Sequence, residues 1–391
     1  MKVYLVAGEP SGDRLGAELM AELKNCATFD LDYSGVGGPL MEDQGLASLF
    51  SIDDIAVIGI GEILAKYSFL KERIKNTVDD ILRLKPDVLI TIDAPEFSLR
   101  IARMVRKKLF VNTIHYVAPT VWAWRPKRAK KMSNYIDHIL ALFPFEPPYM
   151  ERAGISCDFV GHPIADEKLP DQRLVNKFRK QHKINENDTL VALLPGSRKS
   201  EVDRLMPIFN TVSSNLMSQR SNIKIVIVVA PPVKKALKET LQKWGSNIIL
   251  VTNDGLSNSE FQKLKRIVFA SCDIALAASG TVSLELAATG TPMVIAYDMG
   301  FLSRIVFRLL IRVNSVNLVN LISNQIIIPE FIGNNCKPDK ISQALLKELD
   351  NPSMQKTAMQ RSVDLLRAGE MSSGATAANS VLDFLQAHEN L

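Results

Sequence analysis

The chain has 391 residues, more than one typical core holds and comfortable for two domains. Its 47% hydrophobic and 23% charged residues are ordinary for a globular protein, and a net charge of +5 does not by itself imply nucleic acid. Four scattered cysteines (Cys26, Cys157, Cys272, Cys336) form no CxxC pair and no zinc spacing with histidine, so reduced thiols and a cytosolic setting are expected.

In chain order, "KVYLVAG" (2–8) predicts a strand and "DRLGAELMAELK" (13–24) the helix after it. The opening apolar run is too short for a signal peptide and enters turn chemistry directly. No uncharged apolar run reaches the roughly 18–20 residues of a spanning helix, so membrane contact is expected only at the surface. "DIAVIGIGEILAKYSFL" (54–70) is an apolar patch interrupted by glycine. Val57, Ile58, Ile60, Ile63 and Leu64 make it a candidate greasy or lipid-contacting surface. A helix over 70–84 precedes the strand "PDVLITIDAP" (86–95), and "NTIHYVAPTVW" (112–122) and "HILALFPFE" (138–146) follow as strands.

The rhythm breaks in a polar, proline-containing stretch, which places a linker around residues 163–172. It restarts with the strand "LVALLPG" (190–196), the helix 201–217, and strands at 223–232, 247–252, 273–279 and 291–297. Apolar strands alternating with helices predict parallel α/β sheets with right-handed crossovers. The expected architecture is two Rossmann-like domains, 1–165 and 172–365, facing a cleft. A last helix within 366–391 is able to pack back on the first domain.

In open α/β sheets, ligands bind beyond the carboxyl ends of the strands. Four stretches there carry candidate chemistry. "GEPSGD" (8–13) combines Gly8 and Gly12, which allow close backbone approach, with Ser11 and the acids Glu9 and Asp13. The acids argue against a pyrophosphate and suit a hydroxyl-rich ligand such as a sugar. Asp93 ends a strand buried on both sides; it is either a base for a hydroxyl or a cap for the next helix or turn. "LLPGSRKSE" (193–201) turns at Pro195, Gly196 and Ser197, with Ser200 as the expected helix cap and Asp203 three residues on. Helix N–H groups plus Arg198 suit a phosphate. "AASGTVSLE" (277–285) offers a second such turn at Ser279, Gly280 and Thr281, with Glu285 placed to meet ribose hydroxyls or simply to favour the helix dipole.

Two basic stretches remain. "WAWRPKRAKK" (122–131) fits single-stranded nucleic acid, phosphate, anionic headgroups or a plain solvated helix. Arg304, Arg308 and Arg312, at i, i+4 and i+8 in "GFLSRIVFRLLIRVN", mark a basic amphipathic helix for an anionic membrane surface or a solvated arginine stripe. No DxD motif lies on a cleft loop and no Ser-His-Asp order is defensible, so metal-free chemistry without a cofactor is the simpler expectation.

At "VAGEPSGD", "GVGGPLM", "IDAPEF", "IHYVAPTVWAWRPKR", "FPFE", "FVGHP", "LLPGSRKSE" and "ASGTVSLE", in order, the chain resembles the lipid-A-disaccharide synthases. The resemblance runs from residue 3 to about 370. It implies a GT-B glycosyltransferase that moves 2,3-diacylglucosamine from UDP to 2,3-diacylglucosamine 1-phosphate (lipid X). The bond formed is β-1,6, with inversion and release of UDP, at the inner membrane of a Gram-negative cell. By the same resemblance Asp93 is the general base, Arg198 and Ser279–Thr281 hold the diphosphate, Glu285 binds ribose, and Asn320 belongs to the site. The residue before Asn320, commonly proline in that family, is Val319 here. The implied partners are the two acyl sugars and an anionic membrane surface, with no nucleic acid, and a homodimer is compatible. The competing readings are another UDP-sugar enzyme of this fold, an N-acetylglucosaminyltransferase or 2-epimerase, and a non-catalytic nucleotide- or RNA-binding protein.

Overall fold

The computed structural model describes the chain except at residues 56–59, 124–126, 242–243, 245–247, 301–312 and 390–391, and its side chains except also at 60–67, 236, 238–240 and 389. Two compact units divide it, Met1–Asp166 with Leu366–Leu391, and Glu167–Leu365.

Among the described residues the first unit holds seven strands: β1 (Lys2–Ala7), β2 (Asp32–Val36), β3 (Ala47–Ser48), β4 (Val88–Ile92), β5 (Asn112–Tyr116), β6 (His138–Ala141) and β7 (Ser156–Phe159). They pair in parallel in the order β3-β2-β1-β4-β5-β6-β7. β1 and β4 are buried along almost their whole length because helices cover both faces, which is why they read as unbroken apolar runs. The short β2 and β3 were not legible, since "DYSGV" and "AS" carry neither an apolar run nor clear alternation. β5 and β6 stop well before the predicted strands do. Val117, at φ +80°, turns the chain straight after β5.

The C-terminal helix Ser373–Glu389 belongs to this first unit. The Ser380 hydroxyl donates to Asp158 Oδ2 at 2.6 Å and lies 2.9 Å from Nε2 of buried His138. His138 also stacks on Phe384, with ring centroids 4.9 Å apart. At the helix start, the Ser373 N–H and hydroxyl both donate to Asp166 Oδ2, at 2.8 and 2.7 Å.

The second unit holds β8 (Thr189–Leu194), β9 (Ile223–Val228), β10 (Ile248–Val251), β11 (Ile274–Ala277), β12 (Met293–Tyr297) and β13 (Glu330–Ile332). All pairs are again parallel, in the order β10-β9-β8-β11-β12-β13. The helix Lys199–Gln219 packs Val202, Leu205, Met206, Phe209, Val212 and Leu216 onto Leu193, Ile225 and Leu276 of the sheet. Spacings of three and four put those six side chains on one face. Full burial of each contributes about 1.5–3 kcal/mol.

The strand order reverses direction between β1 and β4 in the first unit and between β8 and β11 in the second. Such a reversal splays the loops that follow the two strands and opens a crevice at their carboxyl ends. The sequence candidates Gly8–Asp13 and Asp93 follow β1 and β4. The candidates Gly196–Arg198 and Ser279–Thr281 follow β8 and β11.

Candidate active site

In the first unit, Ala7 pairs with Ile92, so the loops leaving β1 and β4 start side by side. A Cβ on Gly8 would lie 2.5 Å from the Ala94 Cβ, and one on Gly12 would lie 3.3 Å from the Ile92 carbonyl oxygen. Glycine at 8 therefore lets the two loops touch. The Asp93 N–H still donates to the Tyr116 carbonyl at 2.9 Å, as though the strand continued. Asp93 and Ala94 then take φ of +49° and +42°. Two successive non-glycine residues in the left-handed region cost on the order of 1–3 kcal/mol each, and the surroundings must hold them there. Ser98 does so: its hydroxyl donates to the Asp93 carbonyl and, at 3.0 Å, to the Ala94 carbonyl.

The Asp93 carboxyl is half-buried and receives the Ser11 hydroxyl at 3.2 Å. It does not cap the following helix, Ser98–Arg106, whose N-cap is Phe97. The helix-capping alternative for Asp93 is thereby removed. Glu9 is exposed at the start of the helix Pro10–Cys26. Asp13 corrects the sugar-binding expectation. It is 4% exposed, and its carboxylate accepts the N–H groups of Gly38, Leu40 and Met41 at 2.8, 3.1 and 3.1 Å. Asp13 caps the short helix Pro39–Asp43 and has no reach to a ligand.

Along the same edge of this sheet, Trp122, Phe143, Phe145 and His162 form an aromatic cluster. Inside it, Glu146 is 1% exposed and accepts the Trp122 indole N–H and the Phe143 N–H, both at 3.1 Å. Burial pushes its carboxyl up to about 8, against the pull of those N–H donors. Burial holds His162 down at about 4. His115, on β5, is fully buried with Nδ1 2.8 Å from the Thr91 hydroxyl, and burial holds it down at about 3. Both histidines are neutral at pH 7. Arg128 reaches Glu96 at 3.2 Å, tying the basic helix Lys127–Met132 to the loop that carries Asp93. Trp124 and Arg125 lie outside the described residues.

In the second unit, the Ala278 N–H donates to the Leu194 carbonyl at 2.8 Å, so the turns after β8 and β11 leave from neighbouring backbone. Gly196 has φ +104°. The helix begins at Lys199, with Arg198 as N-cap and Glu201 as its third residue. Ser200 is therefore not the cap, and Asp203 instead pairs with Lys199 at 2.6 Å. The acid of this turn is Glu201, which reading the sequence alone passed over, although an acid three residues after an N-cap is a recognisable signal.

On the other turn, Gly280 has φ +148°, and the exposed Thr281 stands at the N-cap position of the helix Val282–Ala288 without a side-chain capping bond. The Ser279 hydroxyl donates to the Val316 carbonyl at 3.2 Å. Val316 and Asn317 are in turn held by Glu330, whose Oε1 accepts their N–H groups at 3.1 and 2.6 Å. Glu285 lies in the first turn of that helix and pairs with Lys265 at 2.6 Å.

Asn320 is 2% exposed. Its amide oxygen accepts the Ile327 and Ile328 N–H groups at 3.0 and 2.9 Å, and its Nδ2 donates to the Ile328 carbonyl at 2.9 Å. Where the resemblance implied a site contact, the side chain staples residues 327–328 to the helix Leu318–Ser323. Val319 is the second residue of that helix, where an N–H has no intrahelical acceptor, so valine serves as well as proline.

Of the expected membrane residues, Val57, Ile58, Arg304, Arg308 and Arg312 lie outside the described residues, as do the side chains of Ile60, Ile63 and Leu64. Among the described residues no helix is long and apolar enough to cross a membrane. Among them also, no three His, Cys, Asp or Glu side chains converge as a metal site.

A family model described as lipid-A-disaccharide synthetase matches residues 3–382. The lipid-A-disaccharide synthase of Ruegeria pomeroyi is 45% identical over 385 residues, covering 98% of this chain and 96% of its own. That of Rhodospirillum centenum is 39% identical, covering 98% and 94%. Among solved structures, the UDP-GlcNAc 2-epimerase of Neisseria meningitidis bound to UDP-GlcNAc superimposes with a TM-score of 0.62 at 13% identity, covering 99% of this chain and 100% of that one. A glycosyltransferase from Rickettsia africae gives 0.57 at 14%, covering 99% and 98%. At such identities the structures share a fold with this chain and nothing finer.

Proposed function

The chain belongs to the lipid-A-disaccharide synthase family, and from that premise we propose that it transfers 2,3-diacylglucosamine from UDP to 2,3-diacylglucosamine 1-phosphate. It is a glycosyltransferase of lipid A biosynthesis. In the proposed reaction the acceptor's 6-hydroxyl oxygen attacks the donor's anomeric carbon, its proton passes to Asp93, and the bond to the UDP oxygen breaks with inversion. Arg198 and the Ser279–Thr281 turn meet the charge that grows on the departing diphosphate, and Glu285 meets the ribose. Transfer proceeds without a metal ion or added cofactor. The enzyme works on acylated sugars at an anionic membrane surface that it reaches peripherally.

One observation carries the nucleotide end of this reading: the turns at Gly196–Arg198 and Ser279–Thr281 leave adjacent strands at the strand-order reversal of the second unit. Tight turns of this kind, one with an arginine, suit a diphosphate. The 2-epimerases of this fold do not compete, because the family match extends over nearly the whole chain while their likeness is structural only.

The test incubates detergent-solubilised protein, in EDTA, with UDP-2,3-diacylglucosamine and the 1-phosphate acceptor. The expected products are UDP and disaccharide 1-phosphate in equal amounts. UDP release without disaccharide, or activity abolished by EDTA and restored by a divalent ion, would contradict the proposal.

A further inference from the structure

The turn after β8 already contains an anion of its own. The Glu201 Oε2 accepts the N–H groups of Ser197 and Arg198 at 3.2 and 3.3 Å. Its Oε1 accepts from the Arg198 guanidinium Nη1 at 3.2 Å and from the Tyr297 hydroxyl, at the end of β12, at 3.5 Å. Only half of a capping box is present, because arginine has no acceptor to offer in return. The Glu201 side chain is 12% exposed, whereas that of Arg198 is 71% exposed. A Cβ on Gly196 would sit 2.4 Å from Glu201 Oε2, so the turn closes tightly around this carboxylate.

We propose that Glu201 is a positioning residue that aims the Arg198 guanidinium, and that the turn binds the diphosphate through this side chain and not through the N–H groups of Ser197 and Arg198. This rests on the reading that UDP binds at the turn. Two arrangements of the carboxylate are conceivable, a fixed brace and a placeholder that a phosphate expels, and the burial favours the brace. Expelling Glu201 would leave a carboxylate beside an incoming dianion in a tight space. Keeping it leaves the remaining guanidinium N–H groups, on an exposed side chain, free to turn to the ligand. An arginine has five donors, and one bond to Glu201 uses only one. The cost of losing rotamer freedom is then met before UDP arrives.

Calorimetric titration of UDP into the full-length wild type, E201A, E201Q, R198A and the double variant R198A/E201A tests this. E201A is expected to weaken UDP binding about tenfold, the size of one charge-assisted contact. E201Q, which keeps an acceptor for the turn but loses the charge that orients arginine, should lie between E201A and wild type. In the R198A background the second substitution should change affinity less than about twofold, because a residue acting only through Arg198 has nothing left to position. Additive losses, or an E201A protein that binds UDP as tightly as wild type or more tightly, would overturn the proposal. If E201A fails to fold, the intermediate affinity of E201Q and its absence of effect in the R198A background decide the matter alone. A wild type that binds no UDP would sink the parent reading first.

Discussion

Asp93 and Arg198 are both readable as candidates from their places after apolar strands, but their surroundings separate their tasks. Asp93 is half-buried, held in a left-handed conformation and bonded to Ser11. Asp93→Asn keeps the size and the bond to Ser11 but cannot accept a proton. Turnover should fall on the order of 10²–10⁴-fold while UDP affinity stays within about twofold, as read by initial rates and calorimetry. An unchanged rate would remove Asp93 from the chemistry. Arg198→Ala should weaken UDP binding by about 10–100-fold, the range of a charge-assisted bond, with an unchanged affinity rejecting its assignment. Asp13 and Asn320 teach the opposite lesson. Both are polar and lie in motif-bearing stretches, yet both side chains are consumed by backbone N–H groups. Residue type and motif membership cannot distinguish a ligand contact from a satisfied cap, because the backbone N–H groups that satisfy the cap come from elsewhere in the chain.

At the scale of the element, the turn after β8 shows how backbone conformation and a buried carboxylate specify each other. Gly196→Ala meets two penalties, an L-residue at φ +104° and a methyl group 2.4 Å from Glu201 Oε2. Gly154 supplies the control, since it has φ +82° and, its own chain neighbours aside, no described atom within 4 Å of where an added methyl group would stand. We expect Gly154→Ala to cost about 1 kcal/mol and Gly196→Ala about 2–4 kcal/mol in denaturant melts, with only the latter weakening UDP binding. Equal costs would mean that the carboxylate moves aside freely. The same turn shows why the predicted cap lies two residues from the observed one. Ser200 is the better capping residue by type, but Glu201 reaches back to the Ser197 and Arg198 N–H groups, and that bond sets the helix start.

Across the molecule, the first unit concentrates buried titratable groups of opposing sign. His115 and His162 are lowered from 6.5 to about 3 and about 4 by burial. As pH falls below about 6.5 the unfolded chain takes up protons that the folded one refuses, so stability falls by up to about 1.4 kcal/mol per pH unit for each histidine. His138 is lowered as well and acts in the same direction. Glu146 is raised from 4.5 to about 8, so its contribution is complete below 4.5 and is lost as pH rises toward 8. Two histidine slopes outweigh one carboxyl slope below about pH 6.5, and the carboxyl slope acts alone above it. The stability of the first unit should therefore peak near about pH 6.5, as melts from about pH 4 to 9 would show. Glu146→Gln should flatten the alkaline limb and leave the acid limb intact; an unchanged alkaline limb would show that Glu146 is ionised in the folded protein.

The two parallel α/β sheets follow from the amino-acid order alone, because strands covered by helices on both faces must be apolar throughout and leave an unmistakable run. So do the turns able to carry chemistry, since the carboxyl end of each such run is visible as the point where glycine, serine and charge begin. Which loops stand side by side is a property of the folded chain only. Strand order puts residue 93 beside residue 11 and residue 278 beside residue 194. Folding likewise assigns the last helix to the first unit, through a histidine and a serine 242 positions apart. It also sorts the carboxylates that are able to act from those already spent, because a side chain's hydrogen-bond partners are set by contacts across the fold that no local pattern records.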